Sequence, residues 1–182
     1  MIKTKSLVIT SLMAAIGVVL PFAFHTVPNA GKIFLPMHIP VILCGFAAGP
    51  IYGLICGIIA PLISSVSTGM PSMAIIPGML FELATYGFVS GAVIRFVKTP
   101  NAWFNVYLAL IVALICGRCV SGFTNGLIFM AGKYTFNVWL TASFVTAIPG
   151  IIIQLVVVPA LVFELNRAGL IELETGLKLS RT

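Results

Sequence analysis

Aspartate is missing from this chain altogether, and only four glutamates stand against ten lysines and arginines in 182 residues. Charged residues of all kinds make up 8%, about a third of the share in an ordinary soluble domain. That excludes a soluble globular fold. Disorder is excluded by the opposite property, because a disordered chain is poor in apolar residues and rich in charge. Intramembrane aspartyl hydrolases and metal-dependent phosphatidyl-transferases use Asp carboxylates as a dyad or as metal ligands, so they are excluded as well. The two histidines, His25 and His38, match no nucleophile motif. There is no Walker loop, no H-E-x-x-H and no dinucleotide glycine fingerprint. Cys44, Cys56, Cys116 and Cys119 all sit in apolar stretches and read as small buried hydrophobes. Cys116 and Cys119 form a C-x-x-C, but without the second Cys or His pair that a zinc site needs. No catalytic residue, metal or cofactor is therefore expected.

What the chain does have is hydrocarbon: 60% of its residues are hydrophobic. A spanning helix takes roughly 20 apolar residues. Six apolar segments can be drawn, at about Ser6–Phe24, Pro36–Gly49, Ile51–Ser67, Ser72–Val97, Trp103–Ala131 and Leu140–Leu165. The expected fold is an all-α bundle of six transmembrane helices, a single domain over residues 1–182, with a short cytoplasmic tail at 167–182. Lys3 and Lys5 before the apolar run Leu7–Phe24 have the outline of a signal peptide. The run is longer than a usual h-region and no small-x-small cleavage site follows, so it reads as a retained first helix. The second segment is short for a full span and is joined to the third by Gly49–Pro50 alone. The two are expected to form a tight re-turning pair, since helices end before a residue that precedes proline.

Cations set the orientation. Lys3, Lys5, Arg95, Lys98, Arg167, Lys178 and Arg181 fall on the side of the termini, and only Lys32 and Lys133 on the other. By the positive-inside rule both termini face the cytoplasm. The net charge of +6 does not indicate nucleic acid, because the cations are scattered among apolar runs rather than gathered on one soluble face. Gly45, Gly49, Gly53 and Gly57 recur every four residues, and Gly87/Gly91 and Gly122/Gly126 repeat the spacing. Such faces let helix backbones approach closely in lipid.

An ionisable side chain at membrane depth is a functional candidate by default. Glu82, in the fourth segment, and Arg118, in the fifth, both lie near mid-span at about the same level. Either they form a structural ion pair, or one or both hold a polar substrate. A buried guanidinium offers a planar fork of donors suited to a carboxylate, which assigns Arg118 the anionic end of a ligand. Polar residues cluster in the same outer half. Ser121, Thr124 and Asn125 follow Arg118 at helical steps on one face. Thr85 and Tyr86 neighbour Glu82, and the sixth segment carries Thr141, Ser143, Thr146 and Gln154. The first outer loop adds His25, Asn29, Lys32 and His38. An outward-opening polar pocket is expected there, with Arg118, Glu82, Asn125, Tyr86, Thr85, Gln154, Ser121 and His38 as substrate-binding candidates.

The run Phe34–Leu35–Pro36–Met37–His38–Ile39–Pro40–Val41, continuing through Gly45 to Gly49–Pro50 and Tyr52–Gly53, resembles the membrane-embedded substrate-binding (S) components of energy-coupling factor (ECF) vitamin transporters. Glu82–Leu83–Ala84–Thr85–Tyr86–Gly87 and Gly117–Arg118 carry the same resemblance, which covers nearly the whole chain and is nearest to the pantothenate subgroup, with pyridoxine-type members close. It implies an S component in the plasma membrane of a prokaryote, binding a B vitamin from outside. It further implies docking on a module of one transmembrane scaffold subunit and two cytoplasmic ATPases. The vitamin would be released inside by toppling, and ATP hydrolysis in the partners would reset the cycle. In the family an Ala-x-x-x-Ala face on the first helix docks the scaffold; the matching positions here are Ser11 and Ala15, with serine in the first place. The readings to be weighed against a pantothenate carrier are an S component for pyridoxine or another vitamin, and a self-sufficient facilitator or channel lined by Arg118 and Glu82.

Overall fold

In a computed structural model the chain is described at residues 4–24, 30–73, 75–129 and 134–171. His25, Asn29, Lys133 and the tail from 172 onward lie outside the described residues, as does the side chain of Lys32. The helices are α1 (Thr4–Val19), α2 (Ala30–Phe34), α3 (His38–Ala48), α4 (Pro50–Thr68), α5 (Ile76–Phe96), α6 (Ala102–Thr124), α7 (Phe136–Leu140) and α8 (Ile148–Arg167). No strand occurs among the described residues. Local chemistry starts and stops them. Asn101 Oδ1 accepts from the backbone N–H of Trp103 (3.0 Å) and Phe104 (3.4 Å) at the head of α6, satisfying donors that a helix start leaves open. Proline stands in the first turn of α4, α5 and α8, where its missing N–H costs nothing. Gly69, in the left-handed region at φ 70°, closes α4.

Five of the six expected segments contain helices long and apolar enough to cross a membrane, those beginning at Thr4, Pro50, Ile76, Ala102 and Ile148. The second, read as short for a full span, is shorter still. α3 has 11 residues, about 16 Å, roughly half of a hydrocarbon core about 30 Å thick. All of its residues but Ala47 are buried, so it is wrapped by protein rather than lipid. The sixth segment is interrupted as well: α7 and a π-helical turn at Thr141–Val145 precede α8.

Side-chain contacts give the directions. Cys44 Sγ of α3 donates to Thr10 Oγ1 of α1 at 3.6 Å, while Gly17 of α1 faces Pro40 and Ala60. Thus α1 runs against α3 and along α4. The Trp103 and Phe163 rings are 3.9 Å apart, so α6 and α8 are antiparallel, given that Arg118 meets Ile151 at their other ends. Lys5 Nζ donates to Gly169 O at 3.4 Å, and Arg95 Nη2 to Ala48 O at 3.1 Å. The start of α1, the α3–α4 turn, the end of α5, the start of α6 and the end of α8 therefore share one end of the bundle. That end carries Lys5, Arg95, Lys98 and Arg167 and is called the basic end below.

Small residues hold the centre. A Cβ on Gly53 would stand 2.2 Å from Gly87 O, and one on Gly45 would stand 2.3 Å from the same oxygen. No side chain fits there, so α3, α4 and α5 meet backbone to backbone, as the four-residue glycine spacing implies. Gly122 and Gly126 repeat the spacing without making such a seam: Gly122 faces the Trp139 indole, and a Cβ on Gly126 would meet nothing nearer than 3.9 Å. The outside is hydrocarbon, with Leu7, Val66, Phe96, Phe123 and Val156 among its exposed side chains.

Candidate functional site

Glu82 lies six residues into α5 and Arg118 six residues before the end of α6, each about 9 Å from its helix terminus. Antiparallel packing of these two helices brings them to one level in the half of the bundle away from the basic end. Arg118 Nη1 is 2.9 Å from Glu82 Oε1. The same oxygen accepts from the Tyr86 hydroxyl at 3.0 Å, one turn along α5. His38 Nε2, at the first position of α3, is 3.7 Å from it, beyond hydrogen-bonding distance. The His38 and Tyr86 rings are 5.2 Å apart. His38, Glu82 and Arg118 are each under a tenth exposed, and Tyr86 is fully buried.

Because α3 is short, its N-terminal end opens onto this cluster rather than onto the membrane surface. A helix N-terminus carries a partial positive charge, which adds to that of Arg118. Glycine makes the geometry possible. A Cβ on Gly117 would lie 2.4 Å from the Tyr86 ring, and one on Gly78 would lie 2.2 Å from Asn125 Oδ1. Asn125 Nδ2 donates to Ser121 O (2.9 Å) and approaches Ser121 Oγ (3.3 Å). Ser121 and Thr124 are buried on the Arg118 face of α6, where the helical steps put them.

The ion pair does not exhaust its members. Arg118 Nε and Nη2 are buried and have no hydrogen-bond partner among the described residues. They form one edge of the guanidinium, the edge that accepts two oxygens side by side. Both ring nitrogens of His38 and both ends of the Gln154 amide are likewise buried without a partner. Gln154 is fully buried, on the inward stripe of α8 with Gly150 and Val158. Orphaned polar atoms at such depth are costly, and these six gather in one half of a small bundle.

Of the eight candidates read from the sequence, Glu82, Arg118, Tyr86 and His38 converge on one carboxylate oxygen, and Ser121 and Asn125 pair beside them. Gln154 is buried on α8, apart from that carboxylate oxygen. Thr85 does not join them: its hydroxyl donates to Phe81 O of its own helix at 2.7 Å. A hollow of about 200 Å³ lies between α6 and α8, with Leu114, Arg118, Phe144 and Ile151 on its wall. An apolar groove of about 410 Å³ lies between α1, α3 and α8, and none of the eight candidates lines it.

Two residues escaped the sequence reading. Trp139 Nε1 donates to Arg118 O at 3.0 Å, its indole filling the space left by Gly122. Tyr134 lies within electrostatic reach of the cluster. Burial holds its hydroxyl above the ordinary tyrosine range, Glu82 adds to that shift, and Arg118 and a hydrogen bond with Ser143 oppose it. Neither residue carries a local signal, since each gains its place from a chain reversal.

A protein-family model described as "ECF transporter, substrate-specific component" matches residues 5–162. No curated protein and no solved structure matches the chain.

Proposed function

The chain belongs to the substrate-specific components of ECF transporters, and from that premise we propose that it captures a small carboxylate-bearing vitamin, pantothenate first, at the Arg118 cluster. The family makes it a membrane-embedded transport subunit rather than an enzyme, with a small-molecule substrate and an ECF module as partner. The vitamin and the residues that hold it are our reading. The observation that carries it is the Nε–Nη2 edge of Arg118, buried beside Glu82 and without a partner among the described residues. Pantothenate has a carboxylate for that edge, and hydroxyl and amide groups for His38, Gln154, Ser121 and Asn125. Glu82 is the less available charge, because its Oε1 already serves Arg118 and Tyr86. This favours an anion over a cationic or neutral vitamin such as a pyridoxine form.

The cycle continues outside this chain. A transmembrane scaffold and two cytoplasmic ATPases supply the docking surface and the energy. Ser11 and Ala15 are exposed on one face of α1, available for the scaffold's helices. The chain works in the plasma membrane of a prokaryote with both termini in the cytoplasm. Gathering of Lys5, Arg95, Lys98 and Arg167 at one end supports that orientation, and so does the Lys5–Gly169 contact.

The test is calorimetric titration of the detergent-solubilised chain with pantothenate and pyridoxine, followed by flux measurements on the chain alone in liposomes. One-to-one binding of pantothenate without sustained flux is expected. Flux from the chain alone would move the reading to a facilitator, and binding of pyridoxine in its place would move it to another vitamin. Ala15→Trp is expected to abolish uptake by the assembled transporter and to leave vitamin binding unchanged; surviving uptake would remove α1 as the docking face.

A further inference from the structure

The charges of the cluster already cancel before any ligand arrives. Arg118 contributes +1 and Glu82 −1, and they are 2.9 Å apart in a site whose members are each under a tenth exposed. A carboxylate laid on the free edge of Arg118 leaves one net negative charge at membrane depth, where an uncompensated charge is among the costliest things to bury. Some group must supply a positive charge on binding or the ligand is expelled. Among the described residues, the charged and titratable groups that face His38 are Glu82 and Tyr86 from α5 and Arg118 from α6. α4 carries no charged residue, and the charged residues of α1 and α8 among those described, Lys5, Glu164 and Arg167, lie toward the basic end.

His38 has the properties the missing cation needs. A neutral imidazole carries one N–H and one lone pair, and here neither ring nitrogen has a partner among the described residues. Its Nε2 is 3.7 Å from Glu82 Oε1, close enough for a protonated ring to draw in and donate to a carboxylate. We infer that this site takes its vitamin carboxylate together with one proton from solvent, which His38 accepts. The vitamin is then captured as an electroneutral pair, with Arg118 matched to the ligand and His38 matched to Glu82. The inference rests on the carboxylate reading above and adds a second ligand, the proton, to it.

Sign and size follow from linkage. Binding that takes up one proton strengthens as pH falls, by up to tenfold per pH unit, over the range between the free and bound titrations of His38. Pantothenate stays ionised throughout that range, so the proton is not the ligand's own. The experiment is titration of the full-length chain with pantothenate between about pH 6 and 8, in two buffers of different ionisation heat. The heat difference counts protons directly. Uptake approaching one proton per pantothenate is expected in the native chain. His38→Gln, which keeps a polar side chain of similar size, is expected to lose the uptake and flatten the pH dependence, with affinity most reduced at the acid end. Glu82→Gln should also lose it by the opposite route, because Arg118 alone then balances the ligand.

Pantothenate binding with no proton uptake in the native chain would overturn the inference and leave the carboxylate reading standing. Uptake that persists in His38→Gln would overturn the assignment to His38. Binding of pyridoxine alone, or of neither compound, would overturn the carboxylate reading and this inference with it.

Discussion

Two regions of the bundle use the same helices to opposite ends. Where α3, α4 and α5 cross, glycine backbones touch, and Ser90 Oγ bridges at 3.3 Å to Ile42 O. Toward the other end of the bundle, two turns before Gly45 at His38 and about one and a half turns before Gly87 at Glu82, six buried polar atoms on His38, Arg118 and Gln154 have no partner among the described residues. The seam maximises contact between surfaces too close for any side chain, which in lipid is a main source of helix association. The cluster forgoes, among the described residues, hydrogen bonds that would have stabilised the fold. A rigid seam lets a neighbouring site stay unsatisfied, because strain at the cluster cannot be relieved by sliding α3 against α5.

Substitutions can break that comparison at either region. The largest effect is expected from Gly87→Leu, whose Cβ would lie 2.2 Å from Gly53 O. No folded monodisperse protein should be recovered in detergent, whereas Gly126→Ala, at the same spacing but with room for a methyl group 3.9 Å from Tyr134 O, should behave as the native chain in size-exclusion and thermal unfolding. Next comes Arg118→Leu, which leaves Glu82 buried without its cation and should cost about 3–5 kcal/mol, read as a lower Tm. Arg118→Lys keeps the charge and removes the fork. It should lower pantothenate affinity by roughly 10- to 100-fold, the worth of a charged hydrogen bond, with a smaller change in Tm. The reverse pattern, a fallen Tm with intact affinity, would make the pair purely structural.

Gln154→Leu sharpens the contrast, because function and stability should move in opposite directions. Removing an unsatisfied buried amide is expected to stabilise the empty chain by about 1–3 kcal/mol while weakening vitamin binding, both measurable on one preparation. Loss of stability instead would mean that the amide has a partner in the protein's working state. The smallest effect is expected at Thr85→Val, one residue from Tyr86. Its hydroxyl is spent on Phe81 O, so affinity should change by less than about twofold, within the ±0.5 kcal/mol typical of uninvolved positions.

The chain's periodicity and charge made much of this legible. Long apolar runs, the Gly49–Pro50 break and the glycine spacing at 45, 53, 87 and 91 each depend on residues a few positions apart, which is the range over which helix propensity and small-residue packing act. They determined the all-helical membrane class and the re-turning α3–α4 pair, and they placed Glu82 and Arg118 at equal depth while leaving open whether the two charges pair. Tertiary structure alone decided that α3 covers half the membrane and begins at the site. It also decided that Gly122 holds Trp139 rather than another helix, that Thr85 turns away, and that Tyr134 and Trp139 come back over Arg118. It left the Nε–Nη2 edge of Arg118 without a partner among the described residues. Which nitrogen meets Glu82 and which stays open depends on where α5, α6 and α3 stand in space, and no spacing along the chain encodes an orphaned edge.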